Sequence, residues 1–295
     1  MRFWLCCQMG GMLLLLAQPA CADDLKLATW SLGWLTDRPA GDPSLPASVR
    51  PKRDEDIARM AAYANILAAD VVAFQEADGA AIAARIFPPD RYALHLNADS
   101  VTQRVGFAVR RGIAFQPNPD VTGLDVYPHA RFRLRSGADI TLAMPGGALR
   151  LLAVHLKAGC RADRANRPAP DVAACATLSQ QFAVLDQWAA ARRAEGAAFA
   201  ILGNFNRQMD GADAMFDGLA QVAAPLLRAT AGRSSPCWGG SSFVDHIIVG
   251  GAAAGWLRPA TLRVLVYRET GPPWPELLSD HCAVSVRLAL PDGTP

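Results

Sequence analysis

The sequence has little net charge and few residues of the kind that bind zinc. It holds 29 Lys and Arg residues against 27 Asp and Glu residues, a formal charge of +2. A dedicated nucleic-acid coat or a polybasic membrane anchor would need a larger positive excess, so both are disfavoured. No C-x2-C spacing and no close pair of histidines is present. These absences argue against a zinc centre.

Long hydrophobic runs are also missing. The run Met9–Ala17 is too short to span a bilayer, and no other stretch is long and apolar enough. A small-x-small pattern that ends at Ala22 follows it, which predicts a signal peptide over residues 1–22 and an exported protein. A lipoprotein signal ending at Cys21 is the alternative. We expect the remainder, residues 23–295, to form a single domain, because its interleaved elements show no break in composition.

Cysteine usage agrees with export. Four cysteines remain after the predicted leader: Cys160, Cys175, Cys237 and Cys282. In an oxidising compartment they favour disulfides, although four cysteines allow three pairings and the count alone does not choose among them.

Short apolar runs alternate with amphipathic segments, which predicts an α/β fold. Helices are predicted from Asp54 and in the segment that ends near Gly196. A hairpin is predicted between Arg131–Arg135 and Ile140–Ala143, turning at Ser136 and Gly137. Further strands are predicted at Leu25–Trp30, Val71–Phe74, Tyr92–Leu96, Val105–Val109, Leu149–Val154, Phe199–Leu202, Phe243–Val249, Thr261–Tyr267 and Ala283–Leu288.

Polar side chains recur just beyond or within these strands, where α/β proteins place their chemistry. Taken singly, each is more simply read as a cap, a turn residue or a satisfied core group. Carboxylates without thiolates favour a hard cation such as Mg²⁺, completed by water and phosphate oxygens. The recurring positions are Ser31, Glu76, His155, Asn204, Asn206, Asp245, Asp280 and His281.

Six motifs occur in an order that resembles the endonuclease/exonuclease/phosphatase family. They are ATWSLGWL, VVAFQE, AVHLKAGC, ILGNFNR, FVDHI and SDHCAVSV, and they extend over Leu25–Leu288. The resemblance implies a four-layer α/β sandwich of two mixed β-sheets with helices on the outer faces. It also implies hydrolysis of a phosphodiester, which includes nucleic acid as a candidate substrate, with Mg²⁺ or Mn²⁺ as cofactor.

The same resemblance implies a role for each motif residue. Glu76 and Asp280 are expected to bind the metal, and Asp280 is also expected to orient His281. The expected catalytic residues are His155, Asn204, Asn206, Asp245 and His281, and the expected substrate-binding residues are Ser31, Lys157 and Arg207.

Two positions depart from the family pattern. Asn204 stands where the family has an aspartate, and Ser31 stands where it usually has an asparagine. An amide can accept a hydrogen bond from water but cannot take its proton, and losing a general base costs about 10²–10⁴-fold in rate. Two functions therefore remain open: a metal-dependent phosphodiesterase, and a non-catalytic relative that binds a phosphorylated ligand or a protein.

The disulfide pairing can be predicted from the loops that the cysteines flank. Cys160 and Cys175 bound one Arg-rich loop, and closing a loop of this size stabilises the fold by roughly 3 kcal/mol in the chain-entropy model. Cys237 and Cys282 are then expected to join the Gly/Ser-rich loop to the residue after His281.

Overall fold

The computed structural model describes residues 24–130, 133–144, 146–162 and 169–291. The predicted leader, residues 1–22, lies outside them. In the described residues twelve strands form two sheets. The strands are β1 (Asp24–Leu35), β2 (Val71–Ala77), β3 (Tyr92–Leu96), β4 (Arg104–Arg110), β5 (Phe115–Pro117), β6 (Ala138–Met144), β7 (Gly147–His155), β8 (Ala198–Asn204), β9 (Leu226–Arg228), β10 (Asp245–Gly250), β11 (Leu257–Leu265) and β12 (Ala283–Ala289).

Each sheet is mixed, with one parallel pair near its centre. The first sheet has the order β11-β12-β1-β2-β4-β3, and the second has the order β5-β6-β7-β8-β10-β9. Strands β1 and β2 are parallel in the first sheet, and β7 and β8 are parallel in the second. The inner faces meet in one apolar layer, to which Leu27 and Phe107 contribute from one side and Leu151 and Ile247 from the other.

Helices cover the two outer faces. The helices are α1 (Asp54–Leu67), α2 (Ala80–Ala83), α3 (Ala169–Ala194), α4 (Ala214–Ala223) and α5 (Trp274–Leu277). Helix α1 packs on the first sheet through Ile57 and Met60, and α3 packs on the second through Leu178 and Phe182. The predicted four-layer architecture is thus confirmed. None of the helices in the described ranges is long and apolar enough to cross a membrane.

The predicted hairpin between Arg131–Arg135 and Ile140–Ala143 is wrong. Arg131 and Phe132 lie outside the described residues, residues 133–136 are not a strand, and β6 instead forms its hairpin with β7. Side chains hold this segment in an irregular path: Asp125 accepts the Leu134 N–H at 3.1 Å, and Asp99 accepts the Ser136 N–H at 2.7 Å. Such bonds to side chains satisfy backbone donors that a strand would have satisfied in its ladder.

Both predicted disulfides are present. Cys160 is bonded to Cys175, and Cys237 is bonded to Cys282. The second disulfide lies directly beside His281 in the sequence, so it joins the Gly/Ser-rich loop to the start of β12.

Gly203 is required by the close approach of β7 to β8. Its φ is +153°, and a Cβ atom placed on it would lie 2.0 Å from the backbone oxygen of Val154. No side chain fits at that distance. The glycine therefore allows β8 to reach the site edge in register with β7.

Replacing Gly203 with alanine should destabilise the protein by about 1–3 kcal/mol or more, because the added methyl group must displace backbone rather than a flexible side chain. Gly218→Ala is the matched control: Gly218 lies in α4 and nothing would lie within 4 Å of its Cβ. Urea unfolding of both variants measures the difference. A Gly203→Ala protein as stable as the wild type would contradict this account of the strand pair.

Candidate active site

Three polar residues form a row across the edge of the second sheet. His155 ends β7, Asn204 ends β8 and Asp245 begins β10. In the ladder, Asn204 pairs with His155 on one side and with Asp245 on the other. All three are at least 93% buried, with exposures of 5%, 1% and 7%. The strand pairing alone therefore brings these predicted site residues together.

Glu76 joins this row from the opposite sheet. It lies near the end of β2 with a φ of +66°, and its Oε1 atom is 3.6 Å from His155 Nε2. Its other oxygen, Oε2, accepts the backbone N–H of Trp34 at 2.8 Å. Burial raises the pKa of Glu76, and the hydrogen bond from Trp34 and the charge of His281 oppose that rise. Burying the ionised Glu76 carboxylate is therefore costly unless a positive charge lies near it.

His281 is oriented by Asp245 and not by Asp280, which corrects the predicted role of Asp280. His281 Nδ1 donates to Asp245 Oδ2 at 2.6 Å, whereas Nε2 is 3.9 Å from Asp280 Oδ1. Asp280 does not orient the imidazole because its side chain is 73% exposed and lies in solvent. Although burial opposes the charged form, the Asp245 carboxylate raises the pKa of His281 to about 10. His281 is therefore cationic at neutral pH.

His155 is held in the neutral form. Arg135 Nη2 lies 3.0 Å from its Nδ1 atom and 2.9 Å from its Nε2 atom, so the guanidinium lies over the imidazole face. Burial, followed by the charges of Arg135 and His281, lowers the pKa of His155 well below its usual value. A neutral imidazole makes no ion pair with Glu76, so their 3.6 Å contact is a polar one.

The backbone that carries Asp280 and His281 is fixed by buried hydrogen bonds. The Ser279 hydroxyl donates to the Ser31 carbonyl at 2.7 Å, and the Tyr267 hydroxyl donates to the His281 carbonyl at 3.0 Å. The Ser31 hydroxyl itself is buried, 3.4 Å from Gln75 Oε1. The Ser31 hydroxyl thus contacts β2 and its carbonyl contacts the loop before β12, and its predicted contact with substrate stays a prediction.

The donor set at this edge suits a hard divalent cation. Glu76 and Asp280 line one cleft of about 250 Å³. The described residues contain no group of three or more His, Cys, Asp or Glu side chains placed to hold a metal. Mg²⁺, however, commonly uses only one or two carboxylates together with water and phosphate oxygens. Glu76 is a buried carboxylate that lines an open cleft, so it can serve as such a ligand.

A lysine also lies beside these carboxylates. Lys52 is 8% exposed, and its Nζ atom has no hydrogen-bond partner. Burial lowers the pKa of Lys52 to about 8, against the charges of Glu76 and Asp280, which favour the ammonium form. Lys52 is thus still largely protonated at pH 7.

A larger cleft of about 530 Å³ lies near the row, because its wall includes Arg135, which contacts His155. Its wall includes three cations, Arg133, Arg135 and Lys157, and two aromatic residues, Trp34 and Tyr127. Trp34 lines both clefts, so it separates the carboxylate side from the basic side. The combination suits an anionic ligand with an extended body.

Two predicted residues of the Asn-Phe-Asn-Arg segment have structural contacts. Asn206, with a φ of +53°, donates from Nδ2 to the Leu156 carbonyl at 2.9 Å, and its N–H donates to Asn204 Oδ1 at 2.8 Å. Arg207 is fully buried, with Nε 2.8 Å from Asp213 Oδ2. Its guanidinium is thus paired inside the protein, and the predicted contact of Arg207 with substrate stays a prediction.

The motifs did not reveal Arg135, Lys52 or Tyr267. All three lie outside the six motifs and reach the site only through tertiary packing. A signal existed for Lys52, because Pro51-Lys52-Arg53 directly precedes the acidic start of α1. Basic residues before an acidic helix start are common on surfaces, however, so that signal is weak.

Comparison with known proteins establishes the fold. No protein-family model and no curated protein matches the sequence. Truncated TDP2 from Caenorhabditis elegans is 11% identical, with a TM-score of 0.59 over 90% of this chain and 98% of that one. An endonuclease/exonuclease/phosphatase from Beutenbergia cavernae is 17% identical, with a TM-score of 0.56 over 92% and 72%. The 3′ phosphatase NExo from Neisseria, bound to a product DNA hairpin, is 18% identical, with a TM-score of 0.55 over 90% and 100%. The chain thus has the endonuclease/exonuclease/phosphatase fold that its motifs predicted.

Replacing Asp245 with asparagine should lower the pKa of His281 by about 1–3 units, since that is the effect of an adjacent opposite charge. NMR titration of the imidazole in the presence of EDTA measures it, with Asp186→Asn as the control on the far side of the second sheet, in α3. A wild-type His281 that titrates near its usual value would refute the Asp245–His281 pair.

Proposed function

We propose that the protein is an exported, Mg²⁺-dependent phosphodiester hydrolase. The observation that carries this proposal is the cationic His281, bonded to Asp245 at 2.6 Å, on the same edge as Glu76 and His155. A binding scaffold has no need of an imidazole held in its charged form by a buried carboxylate. The two disulfides support export, because disulfides persist in oxidising compartments.

The positive groups of the site match the charge that develops during phosphoryl transfer. His281 can donate its Nε2 proton to a phosphoryl oxygen, and Arg135 can neutralise a second one from the other side of the row. Charge stabilisation of this kind, fixed in a buried site, is generally the largest contribution to such catalysis. Glu76 and Asp280 would hold Mg²⁺, which when bound supplies Lewis-acid polarisation of the phosphoryl oxygen.

The site lacks a strong general base for the attacking water. Asn204 can hold water through its amide but cannot take a proton, and its Oδ1 atom already accepts the Asn206 N–H. Of the other two groups in the row, Asp245 is bonded to His281, and His155 is held neutral. With a strongly lowered pKa it is a poor base, so we expect slow turnover.

Nucleic acid is the substrate class that we favour. NExo shares the fold and was solved with a DNA hairpin. The basic and aromatic cleft next to the row can accept a phosphate backbone and stack a base on Trp34 or Tyr127. Lys157, half-buried at that cleft, stays a proposed substrate contact.

The alternative is a protein that binds a phosphorylated ligand without turning it over. The amide at Asn204 favours this reading, because no carboxylate is present to activate water there. Both functions predict phosphate binding, so only turnover distinguishes them.

Purified mature protein should hydrolyse bis(p-nitrophenyl) phosphate or a single-stranded DNA oligonucleotide in Mg²⁺ or Mn²⁺, and EDTA should abolish the activity. His281→Ala should lower the rate by about 10²-fold or more, since it removes a proton donor and a fixed charge. His129→Ala is the control, because His129 is exposed. Tight ligand binding with no turnover would select the alternative.

Asn204→Asp should raise the rate by about 10²-fold or more, because a carboxylate can serve as the missing base with little change in volume. The retained Oδ1 atom can still accept the Asn206 N–H that Asn204 accepts at 2.8 Å. Asn65→Asp, on the exposed face of α1, controls for the added charge alone. An unchanged rate in Asn204→Asp would show that another group already serves as base.

A further inference from the structure

Lys52 is a buried cation whose position needs an explanation. It is 8% exposed, and its Nζ atom is among the buried polar atoms without a hydrogen-bond partner. An ammonium group has three donors, so leaving them unpaired in a buried position is costly. Carboxylates that interact with the ammonium group offset this cost.

Gly33 shows where the ammonium group lies. A Cβ atom placed on Gly33 would be 3.2 Å from Lys52 Nζ and 3.1 Å from the Cα atom of Ser279. Gly33 precedes Trp34, whose N–H donates to Glu76 at 2.8 Å, and Ser279 precedes Asp280. Lys52 Nζ thus lies beside the two backbone segments that border the carboxylate cleft.

Three carboxylates act on Lys52: Glu76, Asp280 and Asp56. Asp56 already has two cationic partners, Arg53 at 2.8 Å and Arg59 at 3.1 Å. Glu76 and Asp280 line the adjoining cleft. The ammonium group of Lys52 therefore interacts mainly with Glu76 and Asp280, the two residues that we assign to the metal.

We propose that Lys52 is a built-in competitor of the divalent cation: its ammonium group neutralises Glu76 and Asp280 when no metal is bound and weakens metal binding. The inference rests on the metal subsite of the proposed function. A unit positive charge that interacts with the same carboxylates should weaken binding of a divalent cation by about tenfold or more. Lys52 thereby raises the metal concentration that is needed to occupy the site.

Binding of Mn²⁺ to the full mature protein at pH 7, without substrate, tests this directly. Electron paramagnetic resonance of free Mn²⁺ gives the Kd, and the rise in Tm on adding Mn²⁺ gives an independent readout. We expect Lys52→Met to bind Mn²⁺ about tenfold more tightly than the wild type and to show the larger rise in Tm. Lys26→Met is the matched control, because Lys26 is a half-buried lysine in β1 whose Nζ donates to Leu67.

The outcomes separate the two proposals. An equal or weaker Mn²⁺ affinity in Lys52→Met overturns the role of Lys52 and leaves the proposed function standing. If neither the wild type nor Lys52→Met binds Mn²⁺, both the role of Lys52 and the metal dependence are overturned. The hydrolysis assay described above then tests turnover on its own. If Lys52→Met does not fold even with Mn²⁺, Lys52→Gln replaces it, and tighter Mn²⁺ binding than in the wild type is again the expected result.

Discussion

The buried charge of Glu76 governs the arrangement around it. The side chain lies at the junction of the two sheets, 8% exposed, and one backbone N–H donates to it at 2.8 Å. An ionised carboxylate in such a place is costly unless positive charge is near. Three cations act on it: Lys52 beside Gly33 of β1, Arg135 over His155, and His281 in the loop before β12.

The apolar layer between the sheets fixes where this charge lies. Because the two parallel pairs pack across that layer, β2 and β7 end at the same edge, and Glu76 comes within 3.6 Å of His155. The polar row then depends on register. Gly203 keeps β7 and β8 close, and Asp245 enters opposite Asn204. The candidate site and the fold therefore depend on the same few strand contacts.

Much of this could be predicted from the sequence. Runs such as Val71–Phe74 and Phe199–Leu202 are too short for helices and too apolar for loops, so their strands were predictable, and so was a cluster of groups at their ends. The hairpin at Arg131–Arg135 was not, because Asp99 and Asp125 hold that segment from far away in sequence. Local alternation carries no information about such distant side chains.

Roles were harder to predict than positions. Asp280 adjoins His281 in sequence, yet backbone direction turns its side chain outward, and Asp245 reaches the imidazole from another sheet. Arg207 follows the site segment directly and still points away, into an ion pair with Asp213. In each case the deciding contact joins residues on different elements, which neither spacing nor composition reveals.

The central claim is that these strand ends form one site for a metal ion and a phosphodiester. Crystals grown with Mn²⁺ and a phosphorothioate diester test it most directly, because manganese and sulfur both give anomalous signals. The account predicts manganese at the Glu76 carboxylate and the phosphorothioate between His155 and His281. Manganese elsewhere, or a phosphorothioate that binds away from both histidines, would contradict it.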